Sequence, residues 1–212
     1  MARATAAVTL AVLLVGAALA LVAMREVAWK PAELPVLGQV PAFSLIDQEG
    51  AKFTDQRLKG RVWAASFFYT SCPGPCPVLV EKLAELRRRV SPEHLAVVSF
   101  SVDPDTDTAE VLRAYAREHG ITTSQSWWLA TGLREEVLAL IRNGFLSAVS
   151  REEPAEGAAT SQNGPIMHST RVLLIDGDRR IRGVYSSDES EALSRLEDDA
   201  THLRSHRSSK RD

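Results

Sequence analysis

Two stretches of this chain are apolar almost without a break, and each is followed by apolar residues at helical spacing. Val62 to Tyr69 and Leu95 to Val102 have the length and continuity of strands buried on both faces. After the first, Leu79, Leu83, Leu86 and Val90 recur with Glu and Arg between them, which predicts an amphipathic helix over Val78 to Val90. After the second, Asp107 or Thr108 is placed to cap a helix carrying Val111, Leu112 and Tyr115 through His119, with Gly120 as its stop. Trp127 to Ala130 reads as a short strand, Leu133 to Arg142 as a helix and Phe145 to Val149 as a short strand.

The flanks carry shorter runs paired about turns. Phe43 to Ile46 and Ala51 to Thr54 surround the turn Asp47-Gln48-Glu49-Gly50, which suggests a hairpin. Thr170 to Ile175 and Ile181 to Tyr185 surround Asp176-Gly177-Asp178, a second and stronger hairpin signal. Residues 150–165 read as a long polar loop, and Glu189 to about Leu203, with Leu193, Leu196 and Ala200, as a closing helix. The order βα-βα-β-α and then ββα defines an α/β fold on a central mixed sheet. It is similar to the thioredoxin-like order, with an N-terminal hairpin added and an insertion before the C-terminal ββα unit. Sites on such sheets gather beyond the carboxyl ends of the parallel strands.

One segment stands outside this pattern. Ala4 to Met24 carries no charge and is dominated by Leu, Val and Ala, long enough for one transmembrane helix. Residues 1–24 are therefore expected to be an N-terminal membrane anchor; the alternative is a cleaved signal peptide, since Ala18-Leu19-Ala20 has the small-x-small form. Both readings export the remainder of the chain: a proline-bearing linker over 25–37, the domain over 38–203 and a disordered basic tail over 204–212. The expected location is the cell inner membrane, single-pass, with the domain facing the periplasm or an equivalent space. Among 212 residues, 45% are hydrophobic and 25% charged, enough for a sizeable core. A net charge of −2 argues against nucleic acid as a partner.

Candidate chemistry is concentrated in Phe67-Phe68-Tyr69-Thr70-Ser71-Cys72-Pro73-Gly74-Pro75-Cys76-Pro77, which holds both cysteines of the chain. The pair lies where the first buried strand gives way to a helix. Four positions put both sulfurs on one side of a helical first turn, whose free N–H groups and dipole favour thiolate. Thiolates attack disulfides and bind soft metals, so the pair is either a redox couple or half of a metal site.

Four motifs in order, "FFYTSCPGPCP", "SFSVDPDTDT", "WWLATG" and "MHSTRVLLIDGDRRIRGVY", resemble the Sco/SenC family of membrane-anchored, thioredoxin-like copper proteins. The resemblance spans roughly residues 38–203. It implies a copper site formed by Cys72, Cys76 and His168, and delivery of copper to the binuclear centre of cytochrome c oxidase, reduction of that centre's cysteines, or both. The implied partners are the copper-receiving oxidase subunit, with a thiol reductase or another copper carrier upstream. Two thiolates and one imidazole suit Cu(I) better than structural zinc, which wants a fourth ligand. The chain departs from the family pattern in three places: Pro73-Gly74-Pro75 between the cysteines, Ala109 where proline is common, and Leu173 where an aromatic is common.

Other residues have plainer readings. Asp103 and Asp107 frame a turn and cap a helix, with Asp103 the candidate for orienting His168 or tuning the thiolates. Met167 is read as core filler, and Trp127 and Trp128 as packing residues. Two rival functions stay open: an exported thiol–disulfide oxidoreductase using Cys72 and Cys76 alone, and a peroxidase of the peroxiredoxin type.

Overall fold

The computed structural model describes residues 33–145 and 170–208. The strands are β1 (Gly38–Gln39), β2 (Ser44–Asp47), β3 (Lys52–Thr54), β4 (Trp63–Phe68), β5 (Ala96–Ser101), β6 (Trp127–Thr131), β7 (Arg171–Ile175) and β8 (Arg180–Ser186). The helices are α1 (Pro75–Arg89), α2 (Ala109–Glu118), α3 (Arg134–Leu140) and α4 (Ala192–Ser208). One sheet in the order β1-β8-β7-β4-β5-β6-β2-β3 joins all of these strands. β4, β5 and β6 are parallel, whereas β7 lies antiparallel on β4, and β2 antiparallel on β6. The mixed α/β order expected from the hydrophobic pattern is thus present, with both hairpins in place.

Every residue of β4 and β5 is buried, because apolar layers cover both faces of the sheet. Alternation along β4 divides them. Ala64 and Phe68 pack with Leu79, Leu83 and Leu86 of α1, Leu112 and Tyr115 of α2, and Leu196 of α4. Trp63, Ala65 and Phe67 pack with Phe100, Val137, Ile141 and Phe145 on the opposite face. Phe67, Phe100 and Phe145 meet with ring centroids 5.2 to 6.0 Å apart, so a dense aromatic wedge backs the strand that carries the cysteine loop. The buried serines facing each other are partnered: Ser66 Oγ lies 2.8 Å from Ser99 Oγ, and Trp127 Nε1 donates to Ser99 at 3.1 Å.

Local chemistry sets the helix ends. Thr108 caps α2, its hydroxyl accepting from Val111 N, and Gly120 takes φ +65° after the last turn. α3 passes into a π-helical turn over Ile141–Phe145, so Phe145 ends a helix and does not open a strand; the rest of that expected strand, 146–149, lies outside the described residues. The polar loop 150–165 and the expected membrane helix over 4–24 lie outside them too, and among the described residues no helix is long and apolar enough to cross a membrane. α4 continues to Ser208, so residues 204–208 are helical where a disordered tail was expected. No glycine or proline interrupts Ala192 to Ser208, and without such a breaker the helix propagates. Leu34 to Leu37, expected as spacer, is laid along β8: Arg182 donates to the carbonyls of Pro35 and Leu34, and Leu37 N donates to Ile181 O.

Close packing at Gly183 yields a prediction. A Cβ there would lie 2.7 Å from Tyr185 Cζ, while the Tyr185 hydroxyl donates to Asp199 Oδ2 at 2.6 Å. Gly183→Ala therefore displaces Tyr185 and breaks its bond to α4. A loss of about 1–3 kcal/mol by urea unfolding is expected, and an unchanged midpoint would contradict the packing described.

Candidate metal centre

β4 ends where Val102 N donates to Phe68 O, and the chain then turns through Cys72 N donating to Tyr69 O at 3.2 Å. Helix α1 does not begin until Pro75. Cys72 therefore sits in the loop and Cys76 in the first turn, which corrects the expectation that one helical turn carries both. The cause is Pro73 and Pro75, each of which disfavours helical backbone in the residue before it, here Cys72 and Gly74. The sulfurs still meet. The Cys76 thiol donates to Cys72, and both cysteines are free thiols in contact rather than a disulfide.

Contact divides the pair electrostatically. Burial by itself raises the Cys72 thiol, but donation from the Cys76 thiol, from the backbone at Gly74 and Cys76 and from the Tyr69 hydroxyl brings it below the ordinary thiol value. Burial, together with donation to Cys72, pushes Cys76 up to about 12. Tyr69 is held protonated, above its usual range, first by that hydrogen bond to Cys72. Tyr115, beneath the pair, is raised to about 12 by burial and then by the cysteine charges. Because the two cysteines are 8% and 7% exposed, access does not separate their reactivities. In a limited iodoacetamide reaction at pH 8, Cys72 is expected to carry most of the label by peptide mass spectrometry, since thiolate is the nucleophile. Equal labelling would contradict the asymmetry.

The Asp103 loop meets the cysteine loop at this edge of the sheet, as its position after β5 implied. Asp103 forms the turn, its carbonyl accepting from Thr106 N and Asp107 N. The residue that reaches the cysteine loop is Asp107. It is fully buried, and its carboxylate accepts from Thr70 Oγ1 at 2.5 Å, from Thr70 N at 3.2 Å and from Ser101 Oγ at 2.6 Å. The sequence carries a signal for this. Asp107 and Thr108 are both capping types but one N-cap position exists; Thr108 takes it, leaving Asp107 to turn inward.

Cys72 and Cys76 are brought together, whereas His168 and Met167 lie outside the described residues. Among the described residues no cluster of three or more His, Cys, Asp or Glu forms a metal cage. What is described is a two-sulfur grip without a hard carboxylate in it, chemistry that fits a soft cation and not Mg²⁺ or Ca²⁺.

Comparison with known proteins fits this geometry. The SCO1/SenC family model matches residues 36–199, and the chain belongs to that family. A SCO1 protein homolog of Bacillus subtilis is 25% identical over 159 residues, 74% of this chain and 78% of that protein. The structure of a SCO1/SenC family lipoprotein from Bacillus anthracis superposes with a TM-score of 0.65 at 29% identity, over 80% of this chain and 97% of its own. BsSco, a member of the Sco family of cytochrome c oxidase assembly proteins with an identified disulfide switch, gives 0.62 at 22% identity, over 82% and 96%. Arabidopsis thaliana ScoI with copper bound gives 0.57 at 24% identity, over 80% and 99%. The last two likenesses establish the shared thioredoxin-like fold.

Proposed function

We propose that this protein is a copper metallochaperone that holds Cu(I) through Cys72, Cys76 and His168 and delivers it to the copper centre of cytochrome c oxidase during assembly. The observation that carries the reading is the pair of free, touching thiols at the carboxyl edge of β4 in a SCO1/SenC chain. The copper-bound Arabidopsis relative supports the choice of metal, and the family of BsSco supports the recipient. Binding displaces thiol protons without redox change, and transfer proceeds by exchange onto the recipient's thiolates. Residues 1–24 hold the protein in the cell inner membrane as a single-pass anchor, with the domain facing the periplasm or an equivalent extracytoplasmic space.

A second reading is favoured by the asymmetry of the thiols: an exported thiol–disulfide oxidoreductase in which the Cys72 thiolate attacks and Cys76 resolves. One partner disulfide would take two electrons and two protons from the pair, leaving two partner thiols and a Cys72–Cys76 disulfide. His168→Ala separates the two. A carrier loses Cu(I) affinity and keeps disulfide reduction; native copper retention in that variant would contradict the carrier reading.

A further inference from the structure

A carboxylate taken out of water without a cation beside it carries a desolvation cost that only hydrogen bonds offset. Asp107 is such a group: it is 0% exposed, and among the described residues its partners are two hydroxyls and one amide, with no ion pair. Two of the three donors belong to Thr70, two residues before Cys72, and the third is Ser101 at the end of β5. Cys76 has its own support, since α1 is packed through Leu79 and Leu83. Beyond Cys72 the chain's hold is N–H donation from Gly74 and Cys76 to the sulfur, across a link whose Pro73, Gly74 and Pro75 are all exposed. The backbone at Cys72 is anchored from the other side, from Thr70, through the turn that Cys72 N closes on Tyr69 O.

We propose that Asp107 is the positioning residue of the cysteine pair: by gripping Thr70 through both its backbone N–H and its hydroxyl, it fixes where the loop leaves β4 and thus sets Cys72 against Cys76. The inference rests on reading Cys72 and Cys76 as the working pair, whether they carry copper or exchange disulfides. The role is carried by hydrogen bonds and shape, so an asparagine should fill it. Its oxygen can accept from Thr70, and its amide can donate to Ser101 Oγ.

The test is the glutathione equilibrium of the full chain in detergent micelles, in which a Cys72–Cys76 disulfide and two glutathione thiols exchange with the dithiol and glutathione disulfide. Asp107→Ala is expected to destabilise the protein disulfide about tenfold, because a loosened Cys72 lowers the effective concentration of one sulfur at the other. Asp107→Asn should stay within about threefold of native, and Thr70→Val should move in the direction of the alanine variant. Melting curves run beside these separate position from stability. A native equilibrium in Asp107→Ala, even with a lowered melting point, would overturn the proposal, as would an asparagine variant displaced as far as alanine. If Asp107→Ala does not fold, Thr70→Val decides, and a native equilibrium there overturns it. No copper enters the assay, so failure of the native chain to bind Cu(I) sinks the carrier reading and leaves this result standing.

Discussion

Cys72→Ser and Cys76→Ser proteins are each expected to bind Cu(I) more than about a hundredfold more weakly than the native chain. Loss of a group that merely supports a metal ligand typically costs about 10–100-fold, and loss of the ligand itself exceeds that. Serine keeps the size but replaces a soft sulfur with a hard oxygen that stays protonated at neutral pH. The two variants should also differ in their dependence on pH. In the native protein Cu(I) must displace the Cys76 proton at any pH below about 12, so affinity rises with pH throughout the neutral range. Removing Cys76 removes that proton and weakens the dependence; removing Cys72 leaves that proton to be displaced. Competition against a chromophoric Cu(I) chelator measures both effects, and a serine variant with native affinity would contradict the thiol site.

The second large effect concerns stability and lies away from the cysteines. Asp176 is buried at the turn between β7 and β8. It accepts from Arg182 at 2.9 Å, from Arg180 Nε at 2.8 Å, and from the backbone of Asp178 and Arg180. Arg182 is buried because the β7–β8 register slips between Leu174 and Ile175, leaving it as the extra residue of a bulge that aims its side chain inward. Asp176→Ala leaves that guanidinium buried without its anion, which costs about 3–5 kcal/mol and lowers the melting point by roughly 10 °C. Burial acts to raise the Asp176 carboxyl, but backbone donation from Arg180 and the Arg182 guanidinium outweigh it, so the folded value is depressed. The stabilisation is therefore present above the unfolded carboxyl value and is lost as pH falls through the lower folded one. Native protein should lose stability in the acid range below about pH 4, and Asp176→Ala should show less of that loss. Parallel acid titrations in the two proteins would contradict the buried pair.

Most of the framework was legible because its physics is local. The runs Val62–Tyr69 and Leu95–Val102 became β4 and β5, and Thr108 and Gly120 bound α2 as their types dictate. What was not legible depended on contacts remote in sequence. The two-residue strand β1 has no pattern of its own and exists by pairing with Ile181 and Arg180. The hairpin at Asp176-Gly177-Asp178 was evident from its Asp-Gly signal, yet the left-handed residue is Arg179, at φ +66°. At the site, the sequence placed the cysteines together but put both in one helical turn, overlooking two prolines that push Cys72 out of it. It also favoured Asp103 over Asp107, since no spacing rule says which carboxylate turns inward to meet Thr70 across 37 positions.

Copper K-edge X-ray absorption on the full chain loaded anaerobically with one equivalent of Cu(I) tests the central claim most directly. Two sulfur donors and one nitrogen donor are expected, with the nitrogen lost in His168→Ala. A chain that retains no copper, or whose copper has no sulfur neighbours, would contradict it.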